Sequence, residues 1–408
     1  MTKLRILLTI LTFIVVFTLG TAAFMYARGY RLNLRENTIN PTGLLVLKSD
    51  PDGAQIFIDN ELKSATNTTM SLPPGTYDVR IEKEGYISWI KTLEIKAEIV
   101  TEETAHLFKS APSLTAITFS GVENPTPSQD MSKISYIAPV PIKVATASAN
   151  LNGYGLWVME MANLPLGFSR EPRRITDGKL NSATWQFSPD DREIILDIAK
   201  LSYLLPISET TNEAQRVNIT QRKATTLKLW GEIEKTRLES HVNKLPIELK
   251  EILLNNASSV VFSPDERMIM YTASASAKLS DNLIKDFPGA STQKQNRDIN
   301  IYHTYIYDIK EDRNFLIDND SKNLITKGGI TTSAQRRLAF FPTSRNLLLA
   351  EPNKITIMDY DGTNRQVVYE GNYVAPFAFP TVSFDRIIIL TNLGAEDKLP
   401  NLYSVGIK

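Results

Sequence analysis

The 408-residue sequence contains no cysteine and only three histidines. The absence of cysteine excludes disulfide bonds, thiolate nucleophiles and cysteine-based zinc or iron–sulfur sites. The histidines, His106, His241 and His303, lie far apart, and none belongs to a metal-ligand spacing such as His-x-x-x-His. The sequence therefore predicts a fold held together by packing alone, with no metal-binding residues.

The sequence also has no excess of positive or negative charge. Lys plus Arg and Asp plus Glu both number 45, so the formal net charge is zero. No basic stripe stands out beyond the N-terminal region, although a protein that binds the phosphate backbone needs one. We therefore expect no nucleic-acid partner.

The motifs of common catalytic sites do not occur. The sequence has no Gly-x-Ser-x-Gly nucleophile turn, no Gly-x-x-x-x-Gly-Lys-Ser phosphate loop and no Gly-x-Gly-x-x-Gly after a strand. It predicts no catalytic residues, no cofactor-binding residues and no cofactor. A serine–histidine–aspartate triad assembled from distant residues is left open.

A long apolar segment opens the chain. It runs from Leu4 to Tyr26 and carries no charge from Ile6 to Ala27. About 20 such residues cross a bilayer as a helix, so residues 1–27 are predicted to be a transmembrane signal anchor. A cleaved signal peptide is the alternative, because small residues follow Thr21, but its apolar stretch is usually only about 7–15 residues long.

The charges that flank this segment are nearly balanced. Lys3 and Arg5 precede it, and Arg28, Arg31 and Arg35 follow it. Because the preceding tail is only a few residues long, we expect the N-terminus inside and the body of the chain outside. The three arginines are also candidates for contact with lipid head groups.

A polar linker is predicted at 28–41, and a small all-β unit at 42–108. The unit contains the turns Asp50-Pro-Asp-Gly-Ala54, Leu72-Pro-Pro-Gly-Thr-Tyr77 and Lys83-Glu-Gly-Tyr86, separated by alternating apolar and polar residues. These three motifs, in this order, resemble a PEGA domain, with Asp52 where the family name has glutamate. The resemblance implies a β-sandwich-like extracytoplasmic module without catalytic residues.

One phrase then occurs twice, as Phe187-Ser-Pro-Asp190 and Phe262-Ser-Pro-Asp265, each between two apolar runs. Ser, Pro and Asp in this order suit a type I turn, so each copy predicts a β-hairpin. Less regular copies occupy 128–136, 340–348 and 382–389. Because Asp190 and Asp265 recur in the same turn, we interpret them as structural.

Between these hairpins lie further strand-like runs, including those with Trp157, Tyr302, Tyr305 and Tyr307, whose rings we expect in the core. Four strands per repeat predict a β-propeller over 112–408, with about five or six blades. The repeated phrase is similar to that of TolB-like, WD-repeat-like propellers, a family that implies a binding scaffold.

Two insertions interrupt the repeats. The two Ser-Pro-Asp phrases are 75 residues apart, whereas Phe341 and Phe384 are separated by 43. Between the first two, apolar residues recur at helical spacing, which predicts a helical hairpin at 221–257. A second insertion, at about 275–298, is polar and predicts a mobile loop. The run Asp318–Asn323 is interpreted as a polar turn, because it lacks the glycine and glutamate of a calcium loop.

Taken together, the sequence predicts a mainly β protein with a membrane anchor, a PEGA-like unit and a propeller that bears a helical insertion. We expect a non-catalytic, extracytoplasmic binding or scaffold protein of the cell envelope that engages a protein or a cell-wall glycan. Two alternatives stay open: a hydrolase with its site in the central funnel of the propeller, and a sensor that signals through a membrane partner.

Overall fold

A computed structural model describes residues 2–27, 30–33, 38–139, 154–161, 171–180, 182–285, 287–329, 334–395 and 398–408. The chain divides into two compact units. Unit 1 consists of Met1–Leu107 and Asp286–Gln293, and unit 2 of Phe108–Lys285 and Lys294–Lys408.

Unit 1 begins with helix α1 (Thr2–Ala27). Its stretch Arg5–Ala27 has a mean hydropathy of 2.4, and length and composition make it a candidate membrane span. The threonine hydroxyls donate to backbone carbonyls one turn earlier, as Thr12 does to Leu8 at 2.8 Å. Such internal bonds satisfy polar atoms that lipid cannot hydrogen-bond.

The predicted linker at 28–41 contains a pair of short antiparallel strands, β1 (Tyr30–Asn33) and β2 (Thr38–Pro41). Arg28 and Arg35 lie outside the described residues, as does the side chain of Arg31, so their contact with lipid stays a prediction.

Two sheets form the N-terminal β unit. One has the strand order β6-β3-β9 and the other β5-β4-β7-β8. The strands are β3 (Gly43–Asp50), β4 (Gln55–Ile58), β5 (Glu61–Ala65), β6 (Thr68–Leu72), β7 (Gly75–Glu82), β8 (Trp89–Ile95) and β9 (Val100–His106). Along β8 every second residue is buried, as the alternation predicts, and Trp89 belongs to a core that both sheets supply.

A distant segment, 287–293, also belongs to unit 1. The side-chain amide of Gln293 donates to the backbone carbonyl of Thr92 at 2.7 Å. The hydroxyl of Thr292 accepts from the backbone amide of Glu94 at 3.2 Å. Gly289 has φ +82°, and a Cβ there would lie 2.5 Å from the carbonyl oxygen of Val100. This part of the second insertion is therefore packed against the β unit and is not the mobile loop that was predicted.

Unit 2 contains six sheets among the described residues: five of at least four strands, here called blades I to V, and one two-stranded ribbon. Their strands are β10 (Ser113–Ala116), β11 (Glu123–Pro127), β12 (Lys133–Ala138), β13 (Gly155–Glu160), β14 (Arg173–Thr176), β15 (Thr184–Phe187), β16 (Glu193–Ile198), β17 (Leu201–Pro206), β18 (Val217–Asn218), β19 (Ala257–Phe262), β20 (Met268–Ala273), β21 (Ala277–Lys278), β22 (Asp298–Ile299), β23 (Thr304–Asp308), β24 (Arg313–Asp318), β25 (Leu324–Ile325), β26 (Arg336–Phe340), β27 (Asn346–Glu351), β28 (Lys354–Asp359), β29 (Gln366–Glu370), β30 (Ala378–Pro380), β31 (Arg386–Thr391) and β32 (Asn401–Gly406).

The order of these strands defines a β-propeller. Blade I has the order β11-β12-β13-β14, blade II β15-β16-β17-β18, blade III β19-β20-β23-β24 and blade IV β26-β27-β28-β29, with β25 added in parallel. Blade V contains β30, β31 and β32 and takes its fourth strand, β10, from the start of the propeller. Pairing of the first strand with the last closes a ring, so the predicted fold class is confirmed.

The predicted hairpins form the first turn of every blade. In blade II the Ser188 hydroxyl donates to Asp190 at 2.6 Å and accepts from the Glu193 amide at 3.0 Å. Each of the five turns also places one non-glycine residue in the left-handed region. These residues are Met131, Asp191, Glu266, Ser344 and Phe384. Their shared conformation makes the three irregular copies equivalent to the two regular ones.

Neighbouring turns are bonded to each other. The carboxylate of Asp191 accepts from the backbone amides of Gln129 and Asp130 at 2.9 and 3.2 Å, which joins blades I and II. The Ser344 hydroxyl accepts from the Asp265 amide at 3.1 Å, which joins blades III and IV. Burial raises the pKa of Asp191 even though these amides favour its charged form.

Apolar seams join most neighbouring blades. Separate buried clusters link I to II, III to IV, IV to V and V to I. Tyr305 and Tyr307 are buried as predicted, whereas Tyr302 lies outside β23 and is 48% exposed. Blades II and III share no such cluster among the described residues.

The helical hairpin occupies that position. Helices α2 (Lys223–Val242) and α3 (Ile247–Asn255) form the insertion. On one side, Trp230 packs with Ile195 and Ile219 of blade II. On the other, Leu249, Ile252 and Leu253 join Ile269, Tyr271 and Tyr305 of blade III. The helices therefore pack against both blade II and blade III.

Candidate functional site

Residues of blade I and of the segment after β25 lie close to α2. The side-chain amide of Gln129, in the first turn of blade I, donates to the carboxylate of Glu234 on α2. The segment after β25 carries Lys327, whose ammonium group interacts electrostatically with Glu234 and Arg237 of the same helix. The Ser259 hydroxyl of blade III bonds that of Thr326 at 2.5 Å. Because blades I, III and IV are not all neighbours in the ring, these residues line its centre.

Lys327 is a cation whose pKa is shifted by its surroundings. The surrounding protein desolvates its ammonium group and lowers its pKa, although solvent reaches the side chain. Arg237 lowers that pKa further, whereas Glu234 raises it. The centre of the ring thus presents two cations and one carboxylate, in a setting where charge interactions are stronger than in bulk water.

A buried arginine holds the segment that carries Lys327. Arg337 on β26 is 1% exposed, and it donates to the carbonyl of Gly328 at 2.9 Å. Its guanidinium lies 5.2 Å from the centre of the Phe379 ring in blade V. Burial lowers the pKa of Arg337 to about 10, so it is still charged at neutral pH. The charge is held by a carbonyl and a ring face, which position the segment.

The outer face of α2 adds a shallow pocket. Its volume is about 410 Å³, and its lining residues are Glu232, Ile233, Thr236, Arg237 and Ser240. Two apolar side chains spaced one helical turn apart are exposed on this face, Leu229 by 54% and Ile233 by 47%. Arg237 belongs both to the pocket and to the surroundings of Lys327, so the two features adjoin.

The three histidines lie in different places. His106 belongs to the N-terminal β unit, with Nδ1 3.9 Å from Oδ2 of Asp50. His241 packs edge-on against Phe262 and lies 3.7 Å from Glu266, while His303 stacks against Tyr305. Ser240 precedes His241 in the sequence, but its hydroxyl donates to the carbonyl of Arg237 at 2.7 Å and not to the imidazole.

The polar run Asp318–Asn323 is held by an arginine of the neighbouring strand. Arg336 donates to both carboxylate oxygens of Asp318, at 2.7 and 3.0 Å. Burial alone would raise the pKa of Asp318, but the hydrogen bonds and charge of Arg336 outweigh it and lower that pKa. An arginine thus holds the carboxylate, in agreement with a structural turn. Among the described residues, no three His, Cys, Asp or Glu side chains form a metal-binding group.

Sequence reasoning named no residue of the central region. Gln129 occurs in an irregular copy of the repeat, and Lys327 follows a two-residue strand that has no pattern of its own. Glu234 and Arg237 look like ordinary exposed helix residues. Only the packing of α2 between blades II and III brings the four together.

Comparison with known proteins agrees with the first part of this description. Residues 42–111 match the family model of the PEGA domain, which confirms the resemblance of the N-terminal β unit. A search of curated proteins gives no match. The apolar helix and this domain together indicate a membrane or envelope location.

Solved structures that are similar include propeller proteins of low sequence identity. A putative TolB from Agrobacterium tumefaciens is 12% identical, with a TM-score of 0.23 over 71% of this chain and 80% of that one. TolB from Acinetobacter baumannii is 11% identical, with a TM-score of 0.20 over 81% of this chain and 59% of that one. The AfRom2 CNH domain is 11% identical, with a TM-score of 0.28 over 72% of this chain and 98% of that one.

Proposed function

We propose that the protein is a non-catalytic, membrane-anchored binding or scaffold protein of the cell envelope. In this proposal α1 anchors the chain, the N-terminus is inside, and the PEGA unit and propeller lie outside the membrane. The partner is a protein or a cell-wall glycan. PEGA domains are generally non-catalytic, which is consistent with a binding role.

The outer face of α2 is the observation that carries the proposal. Trp230 packs one side of α2 against blade II. Another side of the same helix exposes Leu229 and Ile233 to solvent. Exposed aliphatic residues bordered by Glu232 and Arg237 have the composition of an interface, with an apolar centre and a polar rim. Insertions on a rigid scaffold commonly carry function.

This face favours a protein over a glycan as the partner at α2. Its described side chains are aliphatic, hydroxylated or charged, and none of those lining the pocket is aromatic. The exposed Leu229 and Ile233 suit apolar side chains of a partner protein, which contribute most when they become desolvated. The charged centre of the ring, with Lys327 beside it, would orient such a partner.

Photo-crosslinking in native membranes tests the proposal. A photoreactive amino acid placed at Ile233 of the full-length chain is expected to give a discrete adduct with an envelope protein after irradiation. Mass spectrometry of the adduct identifies the partner. The adduct is expected at position 233 because Ile233 lines the pocket that we assign to the partner.

Lys235 provides the matched control. It lies two residues away on the same helix, and its side chain is 75% exposed. The same photoreactive residue at position 235 is expected to give little or no adduct, because successive helix positions face different directions. Equal adducts at both positions, or none at 233, would overturn the assignment of this face.

A further inference from the structure

One stripe of α2 repeats with the spacing of a coiled-coil seam. It consists of Thr226, Leu229, Ile233, Thr236 and Ser240, which follow one another at alternating intervals of three and four residues. Thr226 is partly exposed and the other four are exposed. Residues at positions a and d of a heptad take this spacing when two helices pack along their length. We call these five residues the α2 seam.

The buried side of α2 is made by other residues. Trp230 packs with blade II, and Leu238 and Val242 join the apolar cluster of blade III. These three residues and the seam occupy different faces of the helix. Leu229 and Ile233 belong to neither cluster, so the fold of unit 2 does not require them to be apolar.

The hydroxyl groups of the seam are satisfied within α2. Those of Thr226 and Thr236 donate to backbone carbonyls of the preceding turn at 3.1 and 2.8 Å. The Ser240 hydroxyl also donates to a backbone carbonyl of its own helix, at 2.7 Å. A second helix could therefore cover the seam without leaving these hydroxyls unsatisfied, which would otherwise oppose their burial.

The pocket on this face has the lining of a coiled-coil hole. Four of its lining residues, Ile233, Thr236, Arg237 and Ser240, occupy positions a, d, e and a of the heptad. In a parallel pair of helices, the side chain at a d position inserts between four such residues of the facing helix. The pocket therefore lies where Thr236 of a second α2 helix would insert.

Charges of opposite sign flank the seam. Glu232 occupies position g and Arg237 the next position e, five residues later. In a parallel dimer, position g of one helix faces the next e of the other, so two-fold symmetry forms two Glu232–Arg237 pairs. Within the described chain, Glu232 contacts the exposed Lys228 only at 3.9 Å, and Arg237 forms no ion pair. A second copy supplies the carboxylate that Arg237 lacks.

We propose that the α2 seam joins two copies of this chain as a parallel pair of helices. The inference rests on the proposed role of the outer face of α2 and names the protein that this face engages. An interface between identical chains is self-complementary, and the seam meets this condition because it carries both charges of the pair. With two large apolar residues the contact is weak, so anchoring both chains in one membrane favours it by raising their effective concentration.

Disulfide cross-linking in native membranes tests the proposal. The chain has no cysteine, so single-cysteine variants of the full-length protein report only the chosen position. Under mild oxidation, Ile233→Cys and Thr236→Cys are each expected to give a dimer on a non-reducing gel, because equivalent a and d residues face each other. Lys235→Cys is the matched control. Its side chain is 75% exposed but lies at position c, so it should give several times less dimer.

Charge reversal in the Ile233→Cys background tests the flanking pairs. Arg237→Glu is expected to lower the dimer fraction about tenfold, because two attractive pairs become repulsive. Adding Glu232→Arg exchanges the two signs and forms both pairs again, so cross-linking is expected to recover. Recovery separates a direct contact between the copies from a structural effect of Arg237 within one copy.

The second copy is overturned as the partner if Ile233→Cys gives no more dimer than Lys235→Cys, or if the exchange of charges gives no recovery. In either case the proposed function still stands if a photoreactive residue at position 233 forms an adduct with a different envelope protein. The absence of every adduct at position 233 would contradict both the seam and the proposed function.

Discussion

Replacing Trp230 with alanine is expected to lower the free energy of unfolding of the propeller by about 3–5 kcal/mol. The indole is 9% exposed and packs with Ile195 and Ile219, so its removal leaves a cavity between α2 and blade II. Chemical denaturation of the full-length protein, followed by far-UV circular dichroism, measures the change.

Ile233→Ala is the control for this substitution. Ile233 lies on the same helix, but it is 47% exposed and belongs to no described core cluster. Its replacement is expected to change stability by no more than about 0.5 kcal/mol. Similar losses for Trp230→Ala and Ile233→Ala would show that α2 does not pack on blade II through Trp230.

Leu253→Ala is expected to cost about 2–5 kcal/mol from the other side of the hairpin. Leu253 is 1% exposed on α3 and belongs to the cluster that contains Ile269 and Tyr271 of blade III. Truncation removes apolar contacts from a site that the strands of blade III hold rigidly. The same denaturation experiment measures the loss.

The adjacent residue gives the comparison. Leu254→Ala makes the same chemical change in the same helix, so helix propensity cancels between the two variants. Leu254 is 37% exposed and should lose much less stability than Leu253. If the two alanine variants were equally unstable, the buried face of α3 would have been assigned incorrectly.

Local patterns predicted the elements well. The Ser-Pro-Asp phrases fix their own turns, because the serine hydroxyl, the proline and the aspartate all act within a few residues. The alternation along β8 predicted its buried face for the same reason. The prediction of helices between the second and third blades also followed from a local change of period.

Long-range packing could not be predicted in this way. No local signal shows that α2 packs on blade II and α3 on blade III, because this packing depends on Ile195 in blade II and Tyr271 in blade III. The approach of Gln129 to Glu234 spans 105 residues of sequence. Segment 287–293 looked mobile because its hydrogen-bond partners, Thr92 and Glu94, lie 201 and 198 residues away in the sequence.

One cross-linking measurement tests the position of the helical hairpin most directly. The chain has no cysteine, so the double variant Gln129→Cys, Glu234→Cys can be treated with a short bis-maleimide without background. The account predicts an intramolecular cross-link, seen as a shift in gel mobility, because these two side chains touch across the centre of the ring. A control with Gln129→Cys and Lys235→Cys should react less. No cross-link in the first variant, or equal cross-linking in both, would contradict the position of α2 beside the first turn of blade I.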